Sequence, residues 1–171
     1  MEASRRAPGA LEPTVNAHVI TVSDGVSAGT RDDVSGPELV RLLSQAGFEA
    51  SGPEVVPDVR ERITTAIVTA ASRGADLVVT TGGTGLAARD VTPQATAAVI
   101  DYEVPGIGEA MRRAGAASTP MASLSRAMAG VRGRSLIINV PGSVRGATES
   151  LLAVMPVLDH AVQLLRGQTS H

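Results

Sequence analysis

A cluster of glycines follows a short apolar segment near the middle of the chain, in the stretch Thr80-Thr81-Gly82-Gly83-Thr84-Gly85. Without side chains, such residues let backbone N–H groups face an anion, and they adopt a positive φ angle at little cost. A phosphate group or a planar ring could therefore approach this loop closely. The alternative is a tight loop that binds nothing, and the glycines alone do not separate the two interpretations.

Two carboxylates stand near turns of the chain, Asp90 beyond the glycines and Asp58 after another extended segment. Carboxylate pairs suit Mg²⁺, which prefers oxygen ligands, keeps several waters and bridges nucleotide phosphates. Taken alone, Asp58 is better explained as the N-cap of the following helix, with Glu61 completing a capping box. Asp90 has no cap to serve if Thr92 caps the helix opened by Pro93. The first loop also contains acidic residues that individually suit solvated charges: Asp24, Asp32 and Asp33.

The residue types that are missing narrow the chemistry further. The chain has no cysteine, and none of its histidines, His18, His160 and His171, is expected to be a general base held by a partner. Covalent catalysis is therefore hard to build. Phosphoryl or nucleotidyl transfer needs mainly positioning and charge neutralisation, because an oxygen of the substrate makes the attack.

Two common nucleotide-binding motifs are rejected. The stretch Gly83-Thr84-Gly85-Leu86-Ala87-Ala88 formally matches a dinucleotide fingerprint, but Pro93 places the helix start several residues too late. No Gly-Lys-Ser/Thr follows the glycines, so a P-loop is excluded as well. A nicotinamide-dependent reductase would depend on the fingerprint alone, which we interpret as accidental.

Strand and helix patterns alternate along the chain. The pattern predicts a peripheral strand in 48–56, a central strand in 76–81, and helix starts at Ser35, Asp58, Thr92, Pro105 and Ser143, with other strands in 18–23 and 135–140. The last helix should reach Leu165 with a kink at Pro156, and residues 114–130 are not assigned. This alternation predicts a three-layer α/β/α domain with a mainly parallel sheet.

Three sharp loops follow the predicted strands directly, and ligands of parallel sheets sit beyond the carboxyl ends of the strands. These loops are 23–35, 82–92 and 141–143. We therefore expect them to share one rim of the sheet, where both carboxylates could converge.

The composition places limits on size, partners and location. The 171 residues, 43% hydrophobic and 19% charged, predict one domain over 15–166, a flexible tail over 1–14 and a second tail over 167–171. A net charge of −2 and aromatic content of 1% argue against nucleic acid as a partner. Without a signal-like start or a run of about 20 apolar residues, the chain is expected to be soluble and cytoplasmic.

Several motifs in order resemble one known family. After the glycines come Arg89-Asp90-Val91-Thr92-Pro93, and the first loop contains Ser23-Asp24-Gly25 and Asp33-Val34-Ser35-Gly36. Further along stand 105–112 (Pro-Gly-Ile-Gly-Glu-Ala-Met-Arg), Leu124-Ser125-Arg126-Ala127 and Asn139-Val140-Pro141-Gly142-Ser143. Together, over residues 17–166, these motifs resemble the MogA/MoaB family of molybdenum cofactor biosynthesis.

The resemblance implies that the chain is a molybdopterin adenylyltransferase, in which a terminal phosphate of molybdopterin attacks the α-phosphate of Mg-ATP. It implies catalytic and Mg²⁺-binding roles for Asp58 and Asp90, and a homotrimer or dimer of trimers with a molybdenum-insertion protein as partner. The substrate-binding and nucleotide-binding positions that it implies are Ser23, Asp24, Thr81, Gly82, Gly83, Thr84, Gly85, Thr92, Glu109, Ser125, Pro141, Gly142, Ser143 and Arg145.

Two positions depart from the family pattern: Gln94 stands where an acidic residue often follows Thr-Pro, and Val144-Arg145 replaces Pro-Lys. Arg145 keeps the charge of the lysine. The alternative within the family is a pterin-binding or scaffold protein that transfers poorly. Retention of Asp58 and Asp90 favours the enzyme, because a pure binder needs no metal pair.

Overall fold

A single mixed sheet forms the centre of the protein, whose computed structural model describes residues 14–168. In spatial order, β2-β1-β3-β6-β5-β4, the first four strands run parallel, whereas β5 is antiparallel to both β6 and β4. The tail predicted for 1–14 lies outside the described residues except for Thr14, as do 169–171. The strands are β1 (Asn16–Val22), β2 (Glu49–Val56), β3 (Leu77–Thr81), β4 (Tyr102–Glu103), β5 (Ala129–Arg132) and β6 (Ser135–Val140).

Helices cover both faces of this sheet. The helices are α1 (Asp24–Ser27), α2 (Ser35–Gln45), α3 (Arg60–Ser72), α4 (Thr92–Ala97), α5 (Pro105–Ala116) and α6 (Val144–Leu165), with a short 3-10 helix at Pro120–Leu124. One face is packed by α2, α5 and α6, and the other by α3 and α4. The predicted three-layer α/β/α class is confirmed. No helix within the described residues combines the length and apolar character needed to cross a membrane.

The central strands read as continuous apolar runs because both of their faces are buried. In β3, Val79 packs into the layer with α2, α5 and α6, whereas its neighbour Val78 faces α3 and α4. The prediction of a central strand there is confirmed. The weaker segment around Gly52 and Pro53 forms the edge strand β2, as its composition predicted. The unassigned stretch contains the 3-10 helix and the first two residues of β5.

The predicted helix caps had mixed outcomes. Ser143 caps α6 as predicted, because its Oγ accepts a hydrogen bond from Gly146 N at 3.1 Å. The prediction that Ser35 caps α2 was wrong: Ser35 is the first helical residue, and Gly36 N donates instead to Asp33 Oδ1 at 3.0 Å. Helix α6 runs through Pro156, where the expected kink stays a prediction.

Candidate active site

The carboxyl ends of the parallel strands carry two neighbouring cavities. The larger has a volume of about 600 Å³ and is bordered by the loops after β1, β2, β3 and β6. We call it the acidic cavity, because three aspartates besides Asp90 line it: Asp32, Asp33 and Asp58. The expectation that the three loops meet at one rim is confirmed, since Thr81 Oγ1 at the end of β3 donates to Pro141 O at 2.8 Å and lies 3.1 Å from Ser35 Oγ.

The second cavity, of about 440 Å³, lies between the glycine loop, α5, the 3-10 helix and the start of α6. We call it the methionine cavity, because Met111 and Met121 line it together with Leu124. Its polar lining includes Arg112 and Ser125. A cavity with thioether and aliphatic walls and a few polar groups suits a flat heterocycle with hydrogen-bonding edges.

The two cavities are contiguous at a small set of residues. Gly83, Asp90, Gly142 and Ser143 line both of them. The capped N-terminus of α6 starts at the same place, and its free N–H groups and dipole favour negative charge there. Two ligands, one in each cavity, would therefore meet beside Asp90.

The glycine loop has a backbone that other residues adopt only with strain. Gly82 has a φ of +107° and Gly83 a φ of +65°. A Cβ on Gly82 would lie well under 3.0 Å from Val22 O, and one on Gly83 would collide with Thr92 Oγ1. The loop therefore needs glycine both for its φ angles and for close contact with its neighbours.

Thr92 anchors this loop rather than capping α4. Its N–H donates to Gly83 O at 3.1 Å, and its hydroxyl donates to Gly82 O at 2.9 Å. Val91 occupies the N-cap position without a side-chain bond, so the predicted cap was wrong. Because the hydroxyl is committed to the loop, it has no hydrogen left to donate to a ligand.

Asp58 is held by Asp24 rather than by the helix that follows it. Asp24 N donates to Asp58 Oδ2 at 2.8 Å, and Asp58 N donates to Asp24 Oδ1 at 2.9 Å. Helix α3 begins only at Arg60, after Val59 in the N-cap position, so the predicted capping role was wrong. The reciprocal bonds tie the loops after β1 and β2 together and place a carboxylate at the rim of the sheet.

The pKa values of Asp58 and Asp24 are shifted in opposite directions. Burial raises the pKa of Asp58, and the negative charges of Asp24 and Asp90 add to the increase, against the lowering effects of the Asp24 backbone hydrogen bond and the Arg89 charge. Arg89 donates from Nε and Nη2 to Asp24 Oδ2 at 2.9 and 2.6 Å, which lowers the pKa of Asp24. Of these two carboxylates, Asp24 is already neutralised by Arg89, whereas the partly buried Asp58 has no direct cationic partner within the described residues.

The donor set fits Mg²⁺. Asp90 Oδ2 accepts a hydrogen bond from Ala87 N at 2.9 Å, whereas Asp90 Oδ1 has no protein partner within the described residues. No group of three or more His, Asp or Glu side chains in residues 14–168 could enclose a metal. Two carboxylates without a full protein cage suit Mg²⁺, which keeps waters and completes its shell with substrate phosphates.

The structure brings most of the predicted residues to the two cavities. Besides the four shared positions, Ser23, Thr81, Gly82 and Asp58 line the acidic cavity, and Thr84, Gly85, Ser125 and Pro141 line the methionine cavity. Four predicted positions line neither cavity: Asp24, Thr92, Glu109 and Arg145. Glu109 is exposed on α5, and Arg145 is exposed and bonded to Glu149 Oε1 at 2.9 Å, so ligand roles for both stay predictions.

Two arginines at the cavities were missed by the sequence reasoning. Arg31 lines the acidic cavity, and the half-buried Arg112 lines the methionine cavity while donating to Ala127 O at 2.7 Å. The only signal in the sequence was the position of Arg112 at the end of a family motif. Asn139 was also missed; its amide joins Thr80 Oγ1 and Thr96 Oγ1 at 2.9 Å each beneath the loop.

His18 has partners, contrary to expectation. Its Nδ1 lies 2.9 Å from Ser51 Oγ and its Nε2 lies 3.3 Å from Glu54 Oε2. This cross-strand group lies on β1 and the edge strand β2 and lines a separate cleft. Only the expected lack of a partner was wrong, because β2 brings both partners from more than 30 residues further along the chain. The expectation that His18 is not a general base stays a prediction.

A glycine loop, two carboxylates and two joined cavities at the carboxyl edge of a mainly parallel sheet define a three-layer α/β protein of the class that binds ligands beyond the ends of its strands. More specifically, the chain belongs to the family described as "Probable molybdopterin binding domain", which matches residues 18–160. The resemblance stated from the motifs is confirmed.

Named relatives cover nearly the whole chain. A molybdopterin adenylyltransferase of Helicobacter pylori is 40% identical over 157 residues, covering 90% of this chain and 89% of the relative. The crystal structure of the molybdopterin biosynthesis enzyme MoaB from Thermus thermophilus is 48% identical with a TM-score of 0.84, covering 90% and 98% of the two chains. The Mog protein structure from Mycobacterium ulcerans is 36% identical with a TM-score of 0.85, covering 92% and 100%.

Proposed function

We propose that this protein transfers an adenylyl group from Mg-ATP to molybdopterin, as a molybdopterin adenylyltransferase. The observation that carries the proposal is the pair of cavities that share Gly83, Asp90, Gly142 and Ser143. A transfer between two phosphate-bearing substrates needs two adjoining binding sites with the reacting phosphates at their boundary. The Helicobacter pylori relative, 40% identical, is named for this activity, which supports the proposal.

The chemistry of each lining supports a placement of the two substrates. The methionine cavity takes the pterin, whose flat ring packs against Met111 and Met121 while Arg112 and Ser125 bind its polar edge. The acidic cavity takes ATP, with Arg31 available to the phosphates. Asp58 and Asp90, which both line this cavity, would hold a Mg²⁺ ion beside those phosphates.

The reaction needs no nucleophile from the protein. A terminal phosphate oxygen of molybdopterin attacks the α-phosphorus of ATP, the new P–O bond forms, the bond from that phosphorus to the β-bridging oxygen breaks, and pyrophosphate leaves. When bound, Mg²⁺ neutralises phosphate charge. The protein orients both phosphates with the N–H groups of the glycine loop and the N-terminus of α6. The absence of cysteine is consistent with this chemistry.

The proposal extends to assembly and location. It includes a homotrimer or a dimer of trimers, a cytoplasmic site of action and transfer of the product to a molybdenum-insertion protein. The exposed apolar residues Leu152 and Val157 on α6 offer surface for contacts between subunits.

The central test mixes purified protein with ATP, Mg²⁺ and molybdopterin. We expect pyrophosphate release that depends on all three, together with adenylyl-molybdopterin detected by mass spectrometry. Reactions without molybdopterin or with chelator are the controls. Tight pterin binding without any pyrophosphate would contradict the proposal and favour the alternative of a pterin-binding or scaffold protein.

The raised pKa of Asp58 predicts that the rate of pyrophosphate release starts to fall at a higher pH than an ordinary aspartate would cause. A proton competes with Mg²⁺ for this carboxylate, and the raised pKa makes that competition begin at a higher pH than for an ordinary aspartate near about 3.9. The rate should therefore fall as the pH falls, and excess Mg²⁺ should move the limb to lower pH. The measurement is the pyrophosphate rate against pH at two Mg²⁺ concentrations.

The variant Arg89→Met sharpens this pH test. It removes a positive charge that opposes the rise in the pKa of Asp58, so the acid limb should move to higher pH. If neither excess Mg²⁺ nor this variant changes the pH at which the rate falls, Asp58 is not the titrating ligand.

A further inference from the structure

One arginine, Arg126, lines neither cavity but is hydrogen-bonded to the backbone of the glycine loop and of the residues that follow it. Arg126 lies between the 3-10 helix and β5, and three of its donors reach loop carbonyls. Its backbone N donates to Thr84 O at 2.8 Å, its Nε to Gly85 O at 2.8 Å and its Nη2 to Asp90 O at 2.5 Å. The side chain therefore spans the segment from Gly85 to Asp90 and joins its two ends.

The bonded segment is otherwise held mainly within itself and at its outer surface. Ala87 N and Asp90 Oδ2 bond at 2.9 Å, as do Asp90 N and Ala87 O. Leu86 is 66% exposed, and the Arg89 side chain, bonded to Asp24, is 63% exposed. An exposed ion pair confines a loop only weakly. Beyond Asp90, the buried Thr92 is bonded to Gly82 and Gly83. Asp90 itself is bonded to residues outside 85–90 only by the half-buried Arg126, within the part of the chain that the structure describes.

We propose that Arg126 is a positioning residue that fixes the Asp90 carboxylate at the boundary of the two cavities. This inference rests on the proposed function for its catalytic consequence, but not for its effect on the loop. Charge-assisted bonds from a planar guanidinium to two carbonyls set both distance and orientation, which a lysine ammonium does less well. Without Arg126, Asp90 would occupy a wider range of positions and hold Mg²⁺ less well.

A matched set of variants tests the inference. Arg126→Met keeps a side chain of similar length but removes the Nε and Nη2 donors. Arg126→Lys keeps the positive charge but lacks the planar guanidinium that reaches two carbonyls at once. The control is Arg132→Met, because Arg132 is also half-buried and donates to a loop carbonyl, Val99 O, at 2.7 Å, but lines neither active-site cavity.

The first readout is the Mg²⁺ dependence of pyrophosphate release. Arg126→Met should raise the half-saturating Mg²⁺ concentration at least about tenfold and lower kcat, with a smaller change in the KM for ATP. Arg126→Lys should recover part of the loss, and Arg132→Met should behave as the wild type. Unchanged Mg²⁺ dependence in Arg126→Met, or equal losses in both methionine variants, would overturn the inference.

The second readout needs no substrate and separates this inference from the proposed function. Hydrogen exchange of amides in 85–91 should be about tenfold faster in Arg126→Met than in the wild type, with no such change in Arg132→Met. If the wild type releases no pyrophosphate, the proposed function fails, yet faster exchange would still support the positioning role. Unchanged exchange in both Arg126 variants would contradict that role. If Arg126→Met does not fold, Arg126→Lys supplies the comparison.

Discussion

Replacing Asp90 by asparagine is expected to slow molybdopterin-dependent pyrophosphate release by at least about a hundredfold. An asparagine oxygen can still accept the hydrogen bond from Ala87 N, so the turn should persist. The variant loses the negative charge that would hold Mg²⁺ against the ATP phosphates. The expected result is a loss of kcat in a folded protein, measured by a pyrophosphate assay beside thermal unfolding.

The control for this variant is Asp101→Asn. Asp101 also accepts a hydrogen bond from a backbone amide, Gly133 N at 2.7 Å, but it lines neither of the two active-site cavities. The same chemical change there should leave kcat within about twofold of the wild type, since surface substitutions away from a site have small effects. If Asp90→Asn keeps more than about a tenth of the activity while Mg²⁺ remains required, Asp90 is not a metal ligand.

Replacing Gly82 by alanine should lower the free energy of unfolding by about 2–4 kcal/mol. The φ of +107° is unfavourable for alanine, and the new Cβ would meet the backbone carbonyl of Val22, which cannot rotate away. The loop and the end of β1 would have to separate, so activity should fall with stability. Urea denaturation followed by circular dichroism measures the change.

Gly133→Ala separates the two causes of this loss. Gly133 has a φ of +57°, but a Cβ there would meet nothing within 4 Å. Its replacement should cost about 1 kcal/mol, the cost of the left-handed backbone alone, and leave activity unchanged. Equal costs at both positions would show that the close approach of Gly82 to β1 contributes nothing.

The layers of the fold could be predicted well because each depends on local pattern. The run Leu77–Thr81 is apolar and short, which is enough to indicate a strand buried on both faces. The order of the strands and the antiparallel placement of β5 were not predictable in this way. The four residues of β5, Ala129–Arg132, carry too short a pattern to predict a strand, and pairing with β6 decides their structure.

The candidate site was predictable where topology alone sets position. Loops that leave parallel strands at their carboxyl ends must share an edge, so Gly83 and Ser143 were expected near each other from the sequence alone. Arg31 and Arg112 were not, since an arginine on a polar loop or a helix face is usually solvated. Their place at the cavities depends on how separate segments pack.

The residues near one another in the chain were enough to specify the alternating α/β architecture, the glycine loop and the family. The environment of Asp58 could not be predicted from its neighbours in the chain. The local pattern favoured a helix cap, but the backbone N–H and the carboxylate of Asp58 both bond to Asp24, which lies 34 residues earlier. Arg126 likewise reaches Gly85 across 41 residues. Such bonds depend on which loops the folded sheet brings together, because hydrogen bonds act over about 3 Å and carry no periodic signal along a sequence.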